Sequence, residues 1–309
     1  MLATRLSPHL LKLTKTCPAI HRQFVPSSCE EKEEGQASAD PLLEEQHTVV
    51  RGLVHKYPNR VLVLLTMNCA AYCRFCTRRR KVSDIEKGFL TDKDLGAMAA
   101  YIKKHPEVRE VIFSGGDPLT VPVILKKAIK KIAALPQIKI VRVGSRLPVS
   151  DPKKVNTAVI NALKGVKNKP LYIMLNFEHP REITPETVKA VAKLQKVAAG
   201  LFSQSIFLKG VNDSANVLYE LFSRLLEVGV KPYYIFRCDL VKGAEHFLVD
   251  FKTEVKIFTE LRHRLSGLAC PMYVIDTPHG SGKIPVPTND WEFDHDHYQD
   301  FAGQKQKVR

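Results

Sequence analysis

VLVLLTMNCAAYCRFCTRRR, residues 61–80, decides how the rest of the chain is read. Val61–Thr66 is apolar at consecutive rather than alternate positions, which predicts a strand buried on both faces, as in a parallel sheet. The strand runs directly into a loop with Cys69, Cys73 and Cys76, so all three thiols sit at its C-terminal end. Thiolates are soft ligands suited to iron, and three in one loop can hold three corners of a [4Fe–4S] cluster. The fourth iron is then left to a small chelating ligand. A zinc site is the alternative reading; it needs a fourth ligand, for which distant Cys238 and Cys270 are the candidates. Otherwise those two behave as buried apolar thiols.

Outward from this stretch, short apolar runs recur at Val111–Phe113, Ile138–Val143, Leu171–Leu175, Phe202–Leu208 and Pro232–Phe236, with a further segment at Met272–Ile275. Helix signals separate them. Thr91 with Asp94 makes a capping box, while Thr120 before Pro122, Asp151 before Pro152 and Thr184 before Pro185 mark helix starts. Beyond Asp213, Val217, Leu218, Leu221, Phe222, Leu225 and Leu226 recur at the helical period and Gly229 stops the helix. Strand–helix alternation with short connections predicts an α/β fold of right-handed parallel units. Six repeats are too few for an eight-stranded barrel, so the expectation is a partial (β/α)6 barrel with short N- and C-terminal extensions, open on one side. Residues 1–44 read as extension and acidic linker, 45–290 as the domain and 291–309 as a tail.

Among 309 residues, 47 Lys and Arg face 32 Asp and Glu, a net charge of +15. No basic module interleaved with aromatics accompanies that excess, so neither nucleic acid nor a membrane is expected as partner. The seven cysteines are clustered three and scattered four, which is not a disulfide framework and points to a reducing compartment. The first 29 residues lack Asp and Glu but hold Arg5, Lys12, Lys15 and Arg22. They read either as a mitochondrial or plastid transit peptide or as a short extension of a cytoplasmic protein.

The C-x3-C-x2-C spacing, with aromatic Phe75 before the last cysteine, is identified as the signature of radical S-adenosylmethionine (SAM) enzymes. CRFCTRRR (73–80), SGGDPL (114–119), VGSRLPV (143–149), SQSIFLKGVND (203–213), PYYIFRCDL (232–240), VIDTPHGSGKIPV (274–286) and the lead-in at 40–62 resemble the lysine 2,3-aminomutase family, over residues 40–290. The resemblance implies a [4Fe–4S] cluster on Cys69, Cys73 and Cys76, and SAM contacts from Ser114, Gly115, Gly116, Asp117, Ser145 and Gln204. Taken alone, Gln204 also reads as a buried amide satisfying neighbouring backbone. Pyridoxal 5'-phosphate (PLP) is implied on Lys283, with its phosphate held by Lys56, Tyr57 and Arg60. Arg78 is implied as the clamp of the substrate α-carboxylate, and Asp239 with Asp276 as the pair reading a distal ammonium. The implied reaction is conversion of L-lysine to β-lysine, with an electron donor as partner and a homodimer left open.

The chain departs from the family pattern in several places. Lys56 replaces a usual arginine, His279 and Ser281 flank Gly280 where more glycine is usual, and Asn176 replaces a histidine before Phe177-Glu178-His179-Pro180. The terminal regions are also shorter than the family's. Three readings follow: a free-lysine aminomutase or one for another cationic amino acid, the β-lysine-forming enzyme of elongation factor P modification, and a non-catalytic iron–sulfur scaffold.

Overall fold

The consecutive apolar runs become a run of parallel strands. The computed structural model describes residues 2–32, 37–82, 90–277, 282–292, 297–299 and 304–307. Strands β1 (Thr48–Val50), β2 (Leu53–Tyr57), β3 (Arg60–Thr66), β4 (Glu110–Gly115), β5 (Ile140–Ser145), β6 (Leu171–Asn176), β7 (Gly200–Ile206), β8 (Lys231–Phe236), β9 (Met272–Asp276) and β10 (Lys283–Pro285) form one sheet in chain order. From β3 to β9 every neighbouring pair is parallel; β1 and β2 add antiparallel at one edge and β10 at the other. The two edges do not pair, so this is an α/β partial barrel with an open side, and the Met272–Ile275 run joins it as a seventh parallel strand.

Register explains where the core sits. Val61, Val111, Val141 and Leu171 stand side by side, and so do Val63, Phe113, Val143, Ile173 and Leu201. All nine are buried under the surrounding helices. The alternate residues, among them Leu62, Ile112, Ser114, Gly144, Met174, Asn176, Gln204 and Ile206, face inward and line cavities. Burial along β4, β5 and β7 therefore alternates. An inward side chain here meets a ligand-sized space rather than a helix.

The helix signals hold in part. Thr91 and Asp94 exchange backbone and side-chain hydrogen bonds at the start of Asp92–Lys103, and Thr184 caps Pro185–Gln195. Gly229, at φ +74°, follows the helix Ala215–Glu227. Asp151 makes no side-chain cap; Pro152–Lys154 is a short 3-10 turn, and Asn156 caps the next helix, Thr157–Leu163. Thr120 bonds instead to Asp117 and Asn68, tying the end of β4 to the cysteine loop.

The acid-free stretch folds into two helices, α1 (Pro8–Thr16) and α2 (Pro18–Phe24), each with proline in its first turn and α1 capped by Ser7. Leu10, Ile20 and Phe24 are fully buried against Ala71 and Cys73. Leu2 packs with Tyr72, Val82, Cys69 and Cys76. These residues roof the cysteine loop. Among the described residues no helix is long and apolar enough to cross a membrane.

Candidate active site

The cysteine loop leaves β3 and turns under this roof because its charges are met. Glu30, fully buried, takes Arg74 at 2.5 Å and Arg79 at 2.6 Å. Arg74 also donates to the carbonyls of Leu2 and Ala3. Arg80 pairs with Asp40 at 2.8 Å and Glu45 at 3.0 Å. The acidic stretch read as linker is thus the counter-charge of the arginine-rich loop. Burial works to raise the Glu30 carboxyl, but the hydrogen bonds and charge of Arg74 outweigh it and hold the group below the ordinary carboxylate range.

Inside the loop, Cys69, Cys73 and Cys76 line a cavity of about 240 Å³ together with Ser114, Gly115, Gly116, Asp117, Ser145, Arg146 and Gln204. Burial pushes all three thiols up, Cys76 to about 11, and the nearby sulfurs add to the rise at Cys69 and Cys76. Gly115 and Gly116 are needed for backbone packing: a Cβ on Gly115 would lie 2.3 Å from the Thr66 carbonyl, and one on Gly116 2.4 Å from that of Asn68. Asp117 accepts from Ser145 Oγ at 2.9 Å and from the Arg146 backbone N–H at 2.8 Å, while burial pushes its carboxyl up to about 6.

A second cavity, about 430 Å³, adjoins the first and shares Thr77, Arg78, Ser114, Gly144, Asn176 and Gln204 with it. The β9–β10 hairpin puts Lys283 directly across from Asp276, with Nζ 2.5 Å from Oδ2. Lys56 Nζ lies 3.9 Å from the other oxygen. Asp239, beyond the end of β8, lines the same wall; burial first, and then the Asp276 charge, push its carboxyl up to about 7. The two carboxylates, 37 residues apart in sequence, therefore meet on one wall. Arg60 lies over the Tyr57 ring at 3.9 Å. Arg78 is engaged by Glu44 through Nε at 2.9 Å and Nη2 at 2.5 Å, with Nη1 at 3.4 Å from Ser114 Oγ and the Gly115 carbonyl. His279, Gly280 and Ser281 lie outside the described residues.

Residues 63–222 match the model of the radical SAM superfamily. The chain belongs to that superfamily. It is 40% identical over 271 residues to L-lysine 2,3-aminomutase of Fusobacterium nucleatum, an alignment covering 87% of this chain and 63% of that one. It is 39% identical to the enzyme of the same name from Acetoanaerobium sticklandii, covering 87% and 65%. Glutamate 2,3-aminomutase of Clostridioides difficile is 34% identical, covering 91% and 67%. The chain is thus a member of the 2,3-aminomutase family, and it spans less than two thirds of the length of those two lysine 2,3-aminomutases. A radical SAM methyltransferase from Sphaerobacter thermophilus has the same fold, with a TM-score of 0.51, 15% identity, and coverage of 72% of this chain and 68% of that one.

The loop suits the superfamily's [4Fe–4S] cluster and SAM. Three soft donors line one cavity, and Cys238 and Cys270 are not among its walls. Among the described residues no three His, Cys, Asp or Glu are gathered around a single-ion position. Donors serving separate irons of a cubane need not converge on one point, whereas a structural zinc site needs four that do.

Sequence reasoning missed several residues. Glu44, Glu30, Gln23 and Glu182 matter only through partners far along the chain. One signal was present: an acidic run at 30–45 complementing the arginines at 74–80. Asn176 gives both amide hydrogens away, to Glu178 Oε1 at 2.9 Å and to the Gln204 carbonyl at 2.9 Å. Its side chain therefore offers the two cavities only an acceptor oxygen, so it cannot reproduce the donor capacity of a histidine.

Proposed function

We propose that this chain is a PLP-dependent radical SAM aminomutase that converts L-lysine to β-lysine. The observation that carries the reading is the wall formed by Asp239 and Asp276 beside Lys283, in a cavity continuous with the one lined by the three cysteines. Two carboxylates on one wall favour a substrate with a cationic side chain over glutamate. When bound, the cluster with SAM supplies hydrogen abstraction, and PLP supplies an electrophilic carbonyl that takes up an amine.

This chain's residues do the rest. Lys283 Nζ donates to Asp276 Oδ2 at 2.5 Å, which holds the amine at the cavity wall where it would meet the PLP carbonyl. Arg60 and Lys56, flanking Tyr57, supply positive charge for a phosphate; Lys56 acts as a point charge rather than a fork. Glu44 fixes the Arg78 plane from one edge, so Nη1 is the edge directed to a substrate carboxylate. Met174, Ile206 and Phe236 line the space between, and keep water from a reactive intermediate.

The test is anaerobic protein loaded with iron, sulfide, PLP, SAM and reductant, offered L-lysine, L-arginine and L-glutamate separately, with products read by mass spectrometry. β-Lysine alone, lost in Lys283→Ala, supports the reading. β-Glutamate, or SAM cleavage with every amino acid unchanged, overturns it.

A further inference from the structure

Arg146 follows β5 and belongs to none of the roles above, yet its guanidinium is buried and held from several sides. Its Nη1 donates to Cys73 Sγ at 2.9 Å. Its Nη2 donates to Gln23 Oε1 of α2 at 2.5 Å and to Glu182 Oε1 at 3.0 Å. The guanidinium also lies over the Phe24 ring at 4.7 Å and the Phe75 ring at 5.2 Å. Three separate parts of the fold thus aim one buried charge at one sulfur: the roof helix, the segment after β6, and the cysteine loop. Glu182 is itself fixed, since its second oxygen accepts the Glu178 backbone N–H at 2.9 Å.

A sulfur that ligates iron becomes more negative when its cluster accepts an electron. A cationic donor on that sulfur stabilises the reduced form more than the oxidised form, and nearby carboxylates do the opposite. Arg146 is the cation here, and buried Glu182, paired with it at 3.0 Å, is the opposing charge near Cys73.

We propose that Arg146 is a positioning residue that holds Cys73 and raises the reduction potential of the cluster, braced by Gln23 from the roof helix. The proposal rests on the three thiols as cluster ligands and does not depend on which amino acid is the substrate.

The experiment compares wild type, Arg146→Gln, Arg146→Lys and Glu182→Gln. Each is loaded anaerobically with iron and sulfide and titrated with a one-electron reductant, without SAM or amino acid, while the reduced cluster is followed by electron paramagnetic resonance. In Arg146→Gln the reduced-to-oxidised ratio at fixed potential falls at least about tenfold, equal to 59 mV for one electron. Arg146→Lys recovers part of that fall, and Glu182→Gln moves the ratio upward. A loaded Arg146→Gln protein with the wild-type midpoint overturns the proposal. Should that variant not load, Glu182→Gln decides, and an unmoved or lowered midpoint there overturns it. A wild-type chain that takes up no iron sinks the ligand assignment itself, a failure distinct from an unshifted potential.

Discussion

The two adjoining cavities are built on opposite electrostatic plans. Behind the cysteine loop the charges are braced by partners from several elements, and Glu30, Arg74, Arg146 and Glu182 are all nearly or fully buried. Around Lys283 the charges are neutralised by near neighbours: Asp276 by Lys283 and Lys56, Arg78 by Glu44. Lys283 keeps 30% of its side chain exposed. Breaking any of the pairs behind the cysteine loop leaves an uncompensated buried charge. The second cavity holds pairs whose cations keep an exchangeable edge for a ligand: Arg78 offers Nη1 while Glu44 holds its other side, and Lys283 stays partly exposed beside Asp276.

The largest test of this contrast is Cys73→Ala, which abolishes cluster loading and takes turnover to background. A loaded cluster in that variant, seen by iron and sulfide analysis, would break the assignment. Next is Glu30→Gln, which strands Arg74 and Arg79. The expected loss is about 3–5 kcal/mol of stability, the range for breaking a buried pair, and a melting curve checks it. A loss below ~1 kcal/mol would put this region in the same exchangeable class as the other.

The third test concerns Asp239. Asp239→Asn should raise the KM for lysine by roughly tenfold to a hundredfold, the worth of one hydrogen bond to a charged group. Because its folded pKa is pushed up to about 7, Asp239 is neutral below that pH and charged above it. Affinity for a cationic ligand therefore strengthens as pH rises through 7, and the asparagine variant should show a flatter profile. Stability runs the other way. The unfolded chain ionises this group near the ordinary aspartate pKa, so the contribution of Asp239 to stability falls as pH rises from there to about 7. A KM for lysine that stays flat with pH in wild type would remove Asp239 from ammonium recognition. The smallest effect is Thr91→Ala, outside both cavities, at about 1 kcal/mol for a lost cap; a shift in cluster loading there would show that the cavities are not insulated from the outer helices.

Much of the fold was legible because strand and helix signals are local. Val61–Thr66 and Leu171–Leu175 are strands to within a residue at either end, and Thr91 and Thr184 cap as read. Ile138 and Phe207–Leu208 were assigned to strands on apolarity; they are buried outside β5 and β7, because apolar character reports burial and not extension. The two roof helices escaped notice although Ser7-Pro8 and Cys17-Pro18 are start signals of the kind used elsewhere. At the site, residues tied to a motif could be named from sequence, and the structure brings them into two adjoining cavities. Their partners could not be named. Nothing local connects Gln23 to Arg146, or Glu44 to Arg78.

The roof over the cysteine loop also orders events in time. Its helices are synthesised first, yet Gln23 reaches Arg146 only across 123 residues of chain. The Gln23 side chain therefore meets Arg146 only once β5 has formed, whereas the carbonyl of the same residue takes the Arg74 N–H of the cysteine loop at 2.8 Å. The roof meets the loop before its last brace is set, and pulse-labelled hydrogen exchange during refolding would test that order, with protection of α2 expected no later than that of β5. Should α2 be protected only after β5, the Arg146 brace rather than the loop contact is what closes the roof.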